Sequence, residues 1–213
     1  MATVLGEKLI VFGLTGSPGN PYDLCALFLS EIIPVPNLLF KLALPISLLF
    51  TSAVQAASFQ LTSSDIAQGK PMSNAQEFQG FGCSGGNQSP QLSWSGAPEG
   101  TEAFAVFAYD PDAPTGSGWW HWQVVNIPKE VTSLAAGAVV PAGSTSITND
   151  YGVAGFGGAC PPEGHGVHRY QFTVFALSKK LELPEDASGA LTGYMVRANA
   201  IASSTIEALY ERK

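Results

Sequence analysis

Beyond residue 57 the chain is built from short apolar stretches that alternate with polar residues at a period of two, separated by Gly, Pro and Asn. Phe59-Gln60-Leu61 and Leu92-Ser93-Trp94 read as strands on this pattern, with the loop Gly80-Phe81-Gly82-Cys83-Ser84-Gly85-Gly86-Asn87 between them. Ala103 to Tyr109 and Gln123 to Ile127 are denser in apolar residues, which predicts central strands buried on both faces. Tyr170 to Leu177 alternates Tyr, Phe, Val and Phe against Gln and Thr and is a third strong strand. Nearer the C-terminus the period lengthens: Ser188 is placed to cap a helix on which Leu191, Tyr194, Met195, Ala198 and Ile201 share one face, with Ser203-Ser204 at its end. Thr205 to Tyr210 is read either as a short closing strand, which its alternation favours, or as a further helical turn.

The N-terminal part follows a different rule. No charged residue occurs between Lys41 and Asp65, and the apolar stretch Leu42 to Val54 ends in Val54-Gln55-Ala56, with small residues where a signal peptidase needs them. This predicts a signal peptide cleaved after Ala56 and a periplasmic or secreted mature protein. With Pro45 and Ser47 inside it, the stretch falls short of the ~20 apolar residues that span a bilayer, so the mature chain is not expected to cross a membrane; an uncleaved anchor is the alternative. No cysteine follows the cut to carry a lipid. The segment ahead of the apolar stretch exceeds ordinary leader length, which points to a translation start near Val35 to Leu39. Fold reasoning is therefore confined to one domain at 57–213, with 1–56 as an N-terminal extension.

Composition sharpens this picture. Among 213 residues there are 23 Gly and 15 Pro but only 13% charged residues, which suits a turn-rich, mainly β protein and not a helical bundle. The formal charge of -7 and the lack of any Lys/Arg cluster exclude nucleic acid as a partner. Cys25 would be lost with the leader, leaving Cys83 and Cys160. In an oxidising compartment an even pair reads as a disulfide, which would close a loop of roughly 77 residues and contribute roughly 4 kcal/mol by chain entropy; two separate buried thiols are the other reading.

Three segments concentrate polar chemistry. Tyr109-Asp110-Pro111-Asp112-Ala113-Pro114 follows a strong strand and forms a stiff corner with two carboxylates, or else a plain Asx/Pro turn. Trp119-Trp120-His121-Trp122 places a partly desolvated imidazole among tryptophans, whether as a ligand group or as a satisfied core histidine. Gly155 to Tyr170 combines glycines, which admit close backbone approach, with His168 at the head of a strand; a long connecting loop would show the same glycines.

Asp-Pro-Asp-Ala-Pro, then Trp-x-His-x-x-Val-Val-Asn, then Gly-x-x-Pro-Pro-x-Gly-x-Gly-x-His-Arg-Tyr, in this order and spacing, resemble the signature blocks of the phosphatidylethanolamine-binding proteins, also called Raf kinase inhibitor-like proteins. The resemblance is nearest to the bacterial exported branch and runs from about Phe59 to Tyr210. It implies a mainly β fold, an antiparallel β-sandwich with a C-terminal helix, and a non-enzymatic pocket without a cofactor. By position, the pocket aspartate falls on Asp110 and the pocket histidines on His121 and His168. Asp112 supports the corner, Gly158, Pro162 and Tyr170 line the pocket, and Tyr210 reaches it from the C-terminal stretch. The ligand implied is a small anion such as phosphate or a phosphorylated head group, with a protein target as a further partner. Two other functions compete. A metal-assisted hydrolase would use the same His/Asp cluster, though no metal-binding spacing is present. An interaction protein would use the run at 119–122 as its contact surface, if that run were exposed.

Overall fold

The three strongest strand patterns become the three inner strands of one five-stranded sheet. In the computed structural model, which describes residues 3–5, 8–10 and 58–213, strands β7 (Ala103–Asp110) and β11 (His168–Leu177) pair antiparallel, Val106 opposite Val174. β8 (Trp119–Pro128) and β10 (Thr145–Ser146) extend the sheet on one side and β12 (Ala200–Tyr210) on the other, in the order β10-β8-β7-β11-β12. The chain divides into two compact units, 1–51 and 52–213. The described part of the first is an antiparallel pair, β1 (Thr3–Leu5) with β2 (Lys8–Ile10). The leader, its cleavage after Ala56, the alternative start and Cys25 lie outside the described residues.

Period-two alternation in β7 explains both layers. Phe104, Val106 and Ala108 enter one core and Ala103, Ala105 and Phe107 the other. The first core is closed by a three-stranded sheet of β3 (Gln60–Thr62), β6 (Leu92–Ser95) and β9 (Ser133–Leu134), which contributes Leu61, Leu92, Trp94 and Leu134. Trp94 meets Phe104 edge-on, with ring centroids 5.4 Å apart, and burying an aromatic of this size stabilises by about 1.5–3 kcal/mol. The result is an antiparallel β-sandwich. A small hairpin of β4 (Gln79–Gly80) and β5 (Cys83–Ser84) lies outside both sheets, and the disulfide Cys83–Cys160 ties it to the glycine-rich loop.

The second core is covered by the helix α1 (Gly189–Asn199) and by Leu181. Ser188 caps the helix as expected, its Oγ accepting from Leu191 N at 3.2 Å. The buried face, however, is Gly189, Thr192, Gly193 and Val196, while Leu191 and Tyr194 of the expected face are exposed, Tyr194 to 70%. Trp120 is the cause. It stands on the sheet beneath the helix, and a Cβ on Gly189 would come within 2.6 Å of its ring. The sheet supplies the bulk, so the helix must supply small residues. Ser203-Ser204 do not end the helix either: β12 starts at Ala200, these serines pair with Phe175 and Val174, and Ser204 Oγ accepts from Leu61 N of the opposite sheet at 2.9 Å.

Candidate functional site

β7 ends at Asp110, and β8 and β11 begin at Trp119 and His168, so antiparallel pairing brings all three polar segments to the same end of the sheet. The register there is irregular. Ala108 faces Trp122 and Tyr109 faces Trp120, which leaves His121 as the extra residue of a β-bulge. Bulges re-aim side chains, and this one sets an imidazole within a run whose flanking Trp120 and Trp122 pack against different cores. His121 is only 3% exposed. Its Nδ1–H donates to the carbonyls of Gly157 at 2.8 Å and Gly158 at 3.1 Å. Two carbonyls can only accept, which fixes the proton on Nδ1 and leaves a lone pair on Nε2 in the neutral ring. Burial, outweighing these bonds and the charge of Asp110, pulls the His121 pKa below its usual 6.5.

The carbonyl-bearing loop is itself held closely. Gly158 N–H donates to Asn87 Oδ1 at 2.8 Å, and Tyr151 Oη donates to Gly158 O at 3.0 Å. Any Cβ on Gly158 would collide with the backbone of Gln76 and Glu77. The glycine is therefore needed for this approach, as the loop composition suggested.

The Asp-Pro-Asp corner grips the head of β11 at successive residues. Asp110 Oδ1 accepts from Asp112 N at 2.8 Å, closing an Asx turn, and Oδ2 accepts from His168 Nδ1 at 2.7 Å, both partners being buried. Asp112 accepts from Arg169 N and Nε at 2.9 Å each and from Nη2 at 2.7 Å. That fork drives the Asp112 pKa down to about 2. The far nitrogen of His168, Nε2, lies 2.7 Å from Nδ1 of the exposed His165, giving a hydrogen-bonded line from a buried carboxylate through two imidazoles to the surface.

Asp110, His121, His168 and Tyr170, all deeply buried, line one cavity of about 240 Å³ together with Trp119, Tyr151, Cys160, Pro161 and Pro162. Phe81 and the turn Ala113 to Thr115 complete its walls. Two polar atoms of lining residues, His121 Nε2 and Trp119 Nε1, are shielded from bulk water and have no hydrogen-bond partner; Tyr170 Oη is equally shielded and makes no well-formed bond, its nearest acceptor being the Asp110 carboxylate. Burial, reinforced by Asp110, pushes the Tyr170 phenol far above its ordinary range, so it stays an O–H donor.

The sequence-derived residues thus fall into three groups. Asp110, His121, Pro162, His168 and Tyr170 line the cavity, whereas Asp112 and Gly158 hold its walls from behind. Tyr210 is not among the lining residues. It pairs with His168 across β11 and β12, and its hydroxyl donates to the buried Glu77 carboxylate at 2.8 Å; burial, and then that contact, push its pKa up to about 12. Three participants were not singled out in the sequence: His165 sits in Gly164-His165-Gly166 three residues before His168, Phe81 lies between Gly80 and Gly82, and Tyr151 has no local signal; Trp119 belongs to the tryptophan run already noted. The tryptophan run does not form one exposed surface: Trp122 is in the sandwich core, and of the half-buried pair Trp120 lies under α1 and Trp119 lines the cavity. Among the described residues, no group of three or more His, Cys, Asp or Glu is disposed to hold a metal ion.

Fold and site together define a β-sandwich protein with a small pocket at one end of its main sheet. Residues 62–211 match the model of the phosphatidylethanolamine-binding protein family, and the chain belongs to that family. It is 54% identical over 170 residues to the UPF0098 protein YbcL of Escherichia coli, covering 76% of this chain and 93% of that one. To YbhB of the same organism it is 43% identical over 157 residues, 71% of this chain and 99% of the relative. The crystal structure of YbcL, described as a new member of the mammalian PEBP family, superposes with a TM-score of 0.71 over 74% of this chain and all of that one. A relative from Mycobacterium tuberculosis, 37% identical over 131 residues, 62% of this chain and 64% of its own length, bears a lipoprotein name, LppC.

Proposed function

We propose that this chain is an exported, non-enzymatic receptor whose pocket takes a small anion, a phosphate or a phosphorylated head group. The observation that carries this reading is His121: its Nδ1 proton is committed to two carbonyls while its buried Nε2, in a cavity wall, has no partner. A buried polar atom left unmade costs about 1–3 kcal/mol. Protonation of Nε2 against an oxyanion removes that penalty and forms a charge-assisted bond. Trp119 N–H is a second donor without an acceptor, and Tyr170 O–H, beside Asp110, is a third that can turn to a guest, so an anion with several oxygens can accept from all three. Both oxygens of Asp110 are engaged, by Asp112 N at 2.8 Å and His168 Nδ1 at 2.7 Å, so the carboxylate is held in the wall and does not meet the guest bare. An envelope location is in keeping with the apolar Leu42 to Val54 stretch and with the lipoprotein name of one relative. A protein target, if the receptor modulates one, is then an exported or foreign protein.

Titration calorimetry with inorganic phosphate and with phosphoethanolamine tests the pocket. Binding by the wild type and its loss in the His121→Ala/His168→Ala variant is the expected result; equal heats from both proteins sink the receptor. Turnover of p-nitrophenyl phosphate that disappears in His121→Ala, or stoichiometric metal in the purified protein, would replace it with the hydrolase.

A further inference from the structure

Phe81 combines three features found together at no other described residue. It is 75% exposed, it lines the cavity, and its backbone is left-handed at φ 50° although it is neither Gly nor Asn. Single exposed apolar residues are ordinary. A bulky side chain in a left-handed backbone is not, because its Cβ crowds the following carbonyl. Glycine would relieve that strain, and the flanking Gly80 and Gly82, at φ 145° and 82°, show how sharply the chain turns here. Strain of this kind persists where the surroundings hold it, and it gathers at ligand clamps.

The surroundings do hold it. Two residues along, Cys83 is cross-linked to Cys160, itself part of the cavity wall. Arg212 Nη2 donates to Gly82 O at 3.1 Å. The ring is flanked by other aromatics: Phe78 at 5.9 Å and Tyr151 at 5.6 Å between centroids, with Phe78 and Tyr151 stacked on each other at 3.9 Å and 11°. Trp119 meets Tyr151 edge-on at 5.2 Å. The polar atoms described above therefore occupy only part of a cavity whose remaining wall is aromatic and proline-rich, with more room than a bare four-oxygen anion fills.

We infer that the pocket selects an anion carrying a flat apolar group, an aryl phosphate in chemical class, and that Phe81 is the specificity-determining residue that covers that group at the pocket opening. This rests on the anion-receptor reading and deepens it. A ring beside Phe81 and Tyr151 takes the offset or edge-on packing that aromatic pairs prefer, and the cross-linked, strained loop presents Phe81 already in place, so little ordering entropy opposes binding.

The test compares inorganic phosphate with phenyl phosphate by calorimetry on the wild type and on Phe81→Gly, with thermal unfolding of both. Phenyl phosphate is expected to bind the wild type about three- to tenfold more tightly than phosphate. Phe81→Gly should erase that advantage, weakening phenyl phosphate binding by more than phosphate binding, and keep or raise the melting temperature, because glycine accepts the left-handed backbone. A residue with a merely structural role would lower the melting temperature and leave the ligand ratio alone, which would overturn the inference. Equal affinity of the wild type for the two ligands would overturn it as well while sparing the anion pocket. No heat from either ligand would overturn the pocket and, with it, the inference.

Discussion

His121 couples binding to protons. Its neutral ring carries the proton on Nδ1, so an anion with no proton of its own, such as sulfate, gains a donor at Nε2 only when the ring takes up a second proton. Because burial lowers the His121 pKa, that proton is not already present at pH 7.5 and must come from solvent. Sulfate binding is expected to take up close to one proton per site, visible as a dependence of the calorimetric heat on the buffer's ionisation enthalpy. Affinity should then weaken by up to about tenfold per pH unit as pH rises. His121→Gln should abolish the uptake; an unchanged uptake would move the coupling to His165 or His168. The sign for stability is opposite. With the folded pKa below 6.5, the unfolded chain binds the proton first as pH falls, so the contribution is full above about pH 6.5 and is lost on acidification. Sulfate should restore it.

At the scale of elements, α1 and β8 show where one-dimensional patterns stop short. The helix, its cap residue and three of the four long strands were legible because each rests on local spacing or composition. The buried face of α1 was not, since a hydrophobic pattern ranks Leu191 and Tyr194 above Gly189 and Gly193, and only the three-dimensional placement of Trp120 reverses that order. The site was legible to the same degree. Asp110 and His168 lie at strand ends and could be carried over by position, whereas the bulge that isolates His121 depends on pairing between β7 and β8, and His165 joins only through contact with His168. Tyr210 sits on β12 as expected, but the buried Glu77 claims its hydroxyl, a competitor more than 130 residues away in sequence. The reversed helix face has a direct consequence. Val196→Ala should cost about 2 kcal/mol in urea unfolding, from two lost buried methyls and their cavity. Tyr194→Ser should stay within about 0.5 kcal/mol. Gly189→Ala should destabilise although alanine is the better helix former, because its methyl meets Trp120. A large cost at Tyr194 with none at Val196 would restore the face read from the pattern.

For the whole molecule the Cys83–Cys160 link matters most through its constraint on the unfolded chain. The bridge spans a sequence separation of 77 residues and encloses β7 and β8, hence most of the folding unit's central sheet. Chain-entropy reasoning assigns such a loop roughly 4 kcal/mol, a large share of the 5–15 kcal/mol that a domain of this kind ordinarily has. The Cys83→Ser/Cys160→Ser double variant should therefore still fold, with a urea midpoint well below that of the wild type. If the effect lies in the unfolded state, the variant's denaturant slope should also increase, because a chain released from its cross-link expands and exposes more surface. A lowered midpoint with an unchanged slope would instead locate the loss in the folded state. The β4–β5 hairpin that carries Phe81 and the loop that carries Pro161 would then be held together mainly by this bond, and ligand binding should weaken in parallel with stability. An increased slope with ligand affinity preserved is the expected outcome, since Arg212, Glu77 and the main-chain bonds between residues 76–78 and Ala159 hold the same two segments from the other side.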